Sequence, residues 1–174
     1  MRFVIRTTYD RKALTVMART LRKTLRRKGS RRSTVFGTLV VILVTVLLIA
    51  KLRGGEGFDA GDGVTLAAAC AILITFFTQD ALNGWLAGRK MLPGTETGET
   101  LFTEEGFVTS TAAVETHWNH TQIKAVYETR DYFVFFLSNR HGQIYDKRGF
   151  LEGTPEDFAA FIREKTGKPV EYIK

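Results

Sequence analysis

The sequence predicts an α+β membrane protein: a two-helix transmembrane hairpin joined to a small antiparallel β-roll capped by a C-terminal helix. Two apolar runs, over 35–52 and 64–86, are each long enough to cross a bilayer, with a Gly-rich acidic loop at 53–63 between them. After Pro93 and Gly94 the pattern changes to short alternating segments split by polar turns, and it ends in one amphipathic stretch opened by Thr154 and Pro155. The division expected from these shifts is a basic arm over 1–33, the hairpin over 34–90 and a globular domain over 98–174.

In the arm, residues 3–7 have strand character, and Asp10 is placed to cap a helix running to about Lys28, before Gly29 and Ser30. Leu14, Met17, Ala18, Leu21 and Leu25 recur at helical spacing, so that helix is amphipathic. The net charge of +7 is concentrated here, because residues 1–33 hold 12 Lys and Arg against the single Asp10, whereas residues 98–174 hold 9 against 12 acids. A nucleic-acid binder would carry its cations on the folded reading surface, so no nucleic-acid partner is expected. Arg22, Lys23, Arg26, Arg27, Lys28, Arg31 and Arg32 lead into the first apolar run. Each can gain about 1 kcal/mol near an anionic lipid surface; the plainer role is to fix topology, and composition alone leaves both open.

The first run, VFGTLVVILVTVLLIAKL, is apolar on every side of a helix and holds no charge before Lys51. A domain of this size has no interior for such a helix, and roughly 20 residues at 1.5 Å each match a hydrocarbon core of about 30 Å. A cleaved signal peptide is not expected from a run that starts behind so long a basic arm. The second run must accept Gln79, Asp80 and Asn83 near one end. A carboxylate facing hydrocarbon costs about 2.5–3.5 kcal/mol, so Asp80 calls for compensation. Either it sits at the inner interface paired loosely with Arg31 or Arg32, or it is a coupling residue for ions or an intramembrane contact. Arg89 and Lys90 follow this run, and the positive-inside rule then predicts a multi-pass plasma-membrane protein with both termini in the cytoplasm; Lys51 and Arg53 on the loop count against that but are outnumbered.

In the C-terminal part, segments 99–103, 107–110, 114–118, 124–128, 132–137 and 143–146 read as strands. The turns Glu104-Glu105-Gly106, Arg130-Asp131 and Asn139-Arg140-His141-Gly142 predict antiparallel hairpins in a meander. Thr154 caps a last helix, Pro155 opens it, Phe158, Phe161 and Ile162 form its apolar face, and Gly167 stops it. Strands closed by one such helix fit a pleckstrin-homology-like roll.

Chemistry is sparse. Cys70 is the lone cysteine, and nucleophile-elbow, phosphate-loop, zinc-helix and dinucleotide motifs do not occur, so no enzyme and no cofactor are expected. His117 and His120 fall near a strand end, where positions three apart face opposite ways, and no metal site is expected of them. Trp118, Phe133, Phe135 and Phe150 could line an aromatic groove, but alternation sends at least two of them inward. Lys147 and Arg148 mark either a solvated basic turn or a contact for lipid phosphate or an acidic partner. Trp118, His120, Lys147 and Arg148 are the candidate partner-binding residues.

Several features together resemble one family. They are a Phe-rich opening before an Asp-started basic helix, two spans, the strand turn Glu105-Gly106-Phe107, Trp118 followed by Ile123, Glu128, the run Asp146-Lys147-Arg148-Gly149-Phe150, and a helix over 155–161. This pattern resembles the bacterial YcxB-like membrane proteins, and the resemblance implies a pleckstrin-homology-like cytosolic domain without an assigned activity. The expected function is a non-enzymatic interaction or regulatory module whose roll meets a protein partner at a sheet edge or between strand loops. One rival is a membrane-embedded accessory, transporter-associated or toxin-immunity protein acting through the hairpin, which could also assemble the chain into a homo-oligomer. Another is a sensor of anionic membrane lipid using the arm, Lys147 and Arg148.

Overall fold

A computed structural model describes residues 1–55, 57–138 and 141–173. The chain divides into two compact units, Leu21–Asp80 on the one hand and Met1–Thr20 with Ala81–Lys174 on the other.

The first unit is built on two long helices. Helix α2 (Arg27–Arg53) and helix α3 (Ala60–Arg89) are both long and apolar enough to span a membrane. Their outer faces expose Phe36, Leu43, Leu47, Ile74 and Phe77, an arrangement that water would penalise and lipid would not. They meet at Gly37, where a Cβ would sit 2.2 Å from the Phe76 ring; only a residue without a side chain admits that ring. The connection is tighter than the expected 53–63. Asp59 Oδ1 accepts from the Asp62 amide at 2.9 Å and so starts α3 at Ala60, with Gly61 and Gly63 inside the helix. Lys51 closes the loop by donating to Asp59 at 2.6 Å and to Asp62 at 2.7 Å. Glu56, within the expected loop, lies outside the described residues.

The amphipathic helix α1 (Arg11–Lys23) is capped by Asp10, whose Oδ1 accepts from the Ala13 amide at 2.7 Å. It stops at Lys23, short of the expected Lys28. The break falls at residues 24–26, and α2 runs straight through Gly29 and Ser30. Those two residues cost only about 1 kcal/mol or less each in a helix, too little to stop one that continues into a long apolar run.

The second unit holds two sheets. Strands β1 (Phe3–Thr8), β2 (Thr97–Phe102), β3 (Gly106–Thr111), β4 (Glu115–Asn119) and β8 (Phe150–Glu152) form one, in the order β4-β3-β2-β1-β8. Strands β5 (Ala125–Glu128), β6 (Tyr132–Phe136), β7 (Gly142–Asp146) and β9 (Val170–Tyr172) form the other, in the order β7-β6-β5-β9. The expected hairpins β2–β3, β3–β4, β5–β6 and β6–β7 are all present and antiparallel. Three features differ from the expected meander. The chain changes sheet between β4 and β5 through a 3-10 turn at His120–Gln122. The short strands β8 and β9 are additional, and β9 lies parallel to β5. The strand expected within the basic arm, β1, lies inside the first sheet, paired with β2 from Phe3↔Phe102 to Thr8↔Thr97 and with β8 on its other side. Of the turn between β6 and β7, Asn139 and Arg140 lie outside the described residues, and the amides of Leu137 and Ser138 donate to the His141 carbonyl.

Helix α4 (Pro155–Thr166) caps the core. Thr154 Oγ1 accepts from the Asp157 amide at 3.2 Å, and Gly167 ends the helix in the left-handed region. Phe158 is fully buried against the rings of Phe3, Phe102, Phe133, Phe135 and Phe150 at centroid distances of 4.8–6.0 Å. Both sheets and α4 thus share one aromatic core, in which the alternating inward positions of the strands converge on a single helix face.

Candidate functional site

Strand β4 is an outer strand of the five-stranded sheet and follows an exposed-to-half-buried alternation. The hairpin closes with the Thr111 amide donating to the Val114 carbonyl. In antiparallel pairing every second residue bonds its neighbour, so Thr116 and Trp118 face β3 through their backbone and Glu115, His117 and Asn119 turn theirs outward. The outward amide of Asn119 is taken by Gln122 Oε1 at 2.8 Å as part of a capping box. Glu115 and His117 keep their backbone groups on the open edge. Their side chains pair with each other, His117 Nε2 lying 3.0 Å from Glu115 Oε1. Beside this edge lies a shallow depression lined by Glu105, Phe107, His117, Trp118, Thr121 and Gln122 among others.

Of the four residues expected to bind a partner, Trp118 lines this depression and His120 does not. Trp118 is half-buried against the aromatic core, and its Nε1 is buried with no hydrogen-bond partner among the described residues. His120, at the 3-10 turn, is 4% exposed, so its side chain is not open to a partner as expected. The 3-10 turn folds its ring inward between Phe107 and Phe161, where Nε2 lies 2.8 Å from the Thr103 carbonyl. A carbonyl only accepts, so Nε2 carries the proton, and the buried Nδ1 is left without a partner among the described residues. His117 and His120 therefore share no site.

Lys147 and Arg148 lie at the 3-10 turn before β8, away from β4 in chain order and already engaged. Lys147 binds Glu128 and lies 5.0 Å from the Phe133 ring centre. Arg148 donates from Nε and Nη2 to both oxygens of Asp146 at 3.1 and 2.9 Å while its side chain stays largely exposed. Asp146 is correspondingly held below the usual carboxylate range by Arg148, against the opposing effect of its own burial. Arg148 is solvated and Lys147 is largely covered, and each is paired with a carboxylate of the same domain.

The costliest residue in the apolar runs, Asp80, is compensated by a partner the sequence did not single out. Arg22 reaches it from the last turn of α1, Nε and Nη2 donating to Oδ1 and Oδ2 at 2.7 Å each. Asp80 is 7% exposed, so the expected loose pairing with Arg31 or Arg32 at an interface is replaced by a bidentate, largely buried bond. Gln79 donates to the Phe76 carbonyl of its own helix at 3.0 Å, and Asn83 is exposed. Two further residues were missed although a signal existed: Gly84 and Gly88 form a Gly-x-x-x-Gly pair, the spacing that lets helices approach closely. A Cβ on Gly84 would meet the Thr15 backbone nitrogen at 2.7 Å, and one on Gly88 would meet Leu14 at 3.3 Å, so this pair seats α1.

The remaining cations separate by partner. Arg26, Arg27, Lys28, Arg31 and Arg32 are all exposed, and the first turn of α2 holds no acid to offset them. No group of three or more His, Cys, Asp or Glu side chains among the described residues is arranged to hold a metal ion.

Two apolar helices together with an α4-capped pair of sheets define the class: an α+β protein with two candidate membrane spans. Residues 102–164, which carry β3 to β8 and most of α4, match the family of YcxB-like proteins. No curated protein and no solved structure matches it.

Proposed function

We propose that the chain is a non-enzymatic interaction protein of the bacterial plasma membrane, anchored by α2 and α3 with both termini cytoplasmic. It presents a pleckstrin-homology-like roll whose β4 edge pairs with an extended segment of a protein partner. The observation that carries this reading is the open edge of β4, with the backbone of Glu115 and His117 turned outward beside the Trp118 depression. An added strand would bond to those groups, and the depression would select its side chains. The roll reading is supported by two sheets closed by α4 over one core. The even number of spans is supported by the β1–β2 pairing, since a strand before the hairpin and one after it must reach the same side.

The rival reading, in which the hairpin itself acts through Asp80, loses its main support because Arg22 already engages both carboxylate oxygens. The test uses the full-length chain in its native membrane with a photo-crosslinking residue at Glu115. A protein adduct is expected, and His117→Pro should abolish it without unfolding the roll. That position donates nothing to β3, and proline is tolerated on an outward-facing edge. No adduct, or one that His117→Pro leaves unchanged, would overturn the proposal.

A further inference from the structure

One face of α2 is left over by everything described above. Lys28, Arg31, Arg32, Val35, Phe36 and Leu39 line an open groove of about 470 Å³ along the first turns of that helix. At 3.6 residues per turn these six fall on the side of α2 opposite Gly37, the contact point with α3. Phe36 is 70% exposed and Leu39 59%, so the hairpin does not cover this face.

We propose that this face seats one anionic phospholipid, with Lys28, Arg31 and Arg32 holding the phosphate and Val35, Phe36 and Leu39 receiving an acyl chain. The inference rests on the membrane reading of the hairpin and is independent of the β4 edge. Charge and apolarity follow one another along the helix in the order a phospholipid presents them. At a rise of 1.5 Å per residue, Leu39 lies about 10–17 Å deeper than the three cations. Arg31 and Arg32 have no carboxylate partner among the described residues, in contrast to Arg22, which Asp80 holds. A second copy of this chain docking on the same face would set these cations against their own like, and an acidic peptide would leave the apolar half of the groove in hydrocarbon unused. A phospholipid satisfies both halves.

The site differs from diffuse attraction to a charged surface in being specific to one side of the helix, and that difference can be measured. The full-length protein is purified in mild detergent and titrated with phosphatidylglycerol or with phosphatidylcholine of the same chains, and bound lipid is counted by native mass spectrometry. One tightly retained phosphatidylglycerol is expected. The pair Arg31→Gln and Arg32→Gln should weaken its retention tenfold or more, because each cation is worth about 1 kcal/mol near an anionic headgroup. The pair Arg26→Gln and Arg27→Gln removes the same charge from residues that do not line the groove and should leave retention within about twofold. Phe36→Ser with Leu39→Ser should shorten retention, and excess inorganic phosphate should not displace the lipid. Equal losses from the two arginine pairs, equal retention of the two lipids, or displacement by phosphate would each overturn the site. A chain that remains monodisperse without detergent would overturn it together with the membrane reading, whereas a lost Glu115 adduct would not affect it.

Discussion

At the scale of single residues, the Arg22–Asp80 bond is the clearest case of a cost met by geometry. Removing one member of a buried pair leaves the other charge unmatched, which costs about 3–5 kcal/mol when both are fully enclosed. With Arg22 about one third exposed, Asp80→Asn is expected to lose roughly 2–3 kcal/mol in detergent unfolding on the same scale. Adding Arg22→Gln should recover most of that loss; a cycle showing no coupling would mean that the bond is not formed. A second residue-scale prediction concerns acid. Lys165, and then the N-terminal ammonium, pull Glu104 from its ordinary 4.5 down to about 2. A carboxylate whose folded value is depressed stabilises fully above its unfolded value, and the contribution disappears as pH falls through the folded one. The stability difference between the native chain and Glu104→Gln should therefore be constant above about pH 5, shrink between about 4.5 and 2 and vanish below. A difference independent of pH in equilibrium unfolding would refute the linkage. The sequence marked Asp80 as costly because intramembrane acids are rare. It did not show Arg22 as the partner, since the pair is 58 positions apart in the chain and only the turn after α1 brings them together. The burial of His120 was not legible for a related reason: a histidine beside a strand end gives no sign of the 3-10 turn that rotates it into the core.

At the scale of elements, periodicity and capping were legible and helix ends were not. Thr154, Pro155 and Gly167 predicted α4 because each acts on its own local backbone. The end of α1 could not be read, because Gly29 looks like a stop signal but lies within a helix that continues into an apolar run. Strands β8 and β9, three residues each, carry too little alternation to be recognised, and β9 is recruited by pairing with β5 rather than by its own composition. The two kinds of glycine also separate here. Gly84→Ala should destabilise by about 1–3 kcal/mol, since its Cβ would meet the Thr15 backbone. Gly29→Ala meets nothing within 4 Å and should stabilise α2 by up to about 1 kcal/mol. Thermal unfolding of the two variants under one set of conditions would test the contrast; similar shifts would mean that α1 is not seated on Gly84.

At the scale of the whole molecule, the hairpin is inserted into the folded domain rather than appended to it. Strand β1 precedes both apolar helices, and its partner β2 follows them. On the proposed membrane topology, a chain deleted for residues 60–89 would carry one span and hold β1 and β2 on opposite sides of the bilayer. Its roll should become sensitive to protease while the full-length chain resists; equal resistance would mean that the sheet closes without β1. This dependence was not legible in the sequence, where a short strand in a basic arm gives no sign of a partner roughly 90 positions away.

Synthesis imposes an order on that pairing. Phe3, Val4 and Ile5 leave the ribosome well before β2, which is made only after both apolar helices, a delay on the order of 5–20 s at ordinary elongation rates. Through that interval the nascent strand lacks β2, and on the proposed membrane topology the sheet can close only once the second helix has returned the chain to the side where it began. On that topology the finished domain is a record of completed insertion: a chain whose second helix failed to thread would expose an apolar strand to the cell's proteases, and only correctly threaded molecules would survive to act.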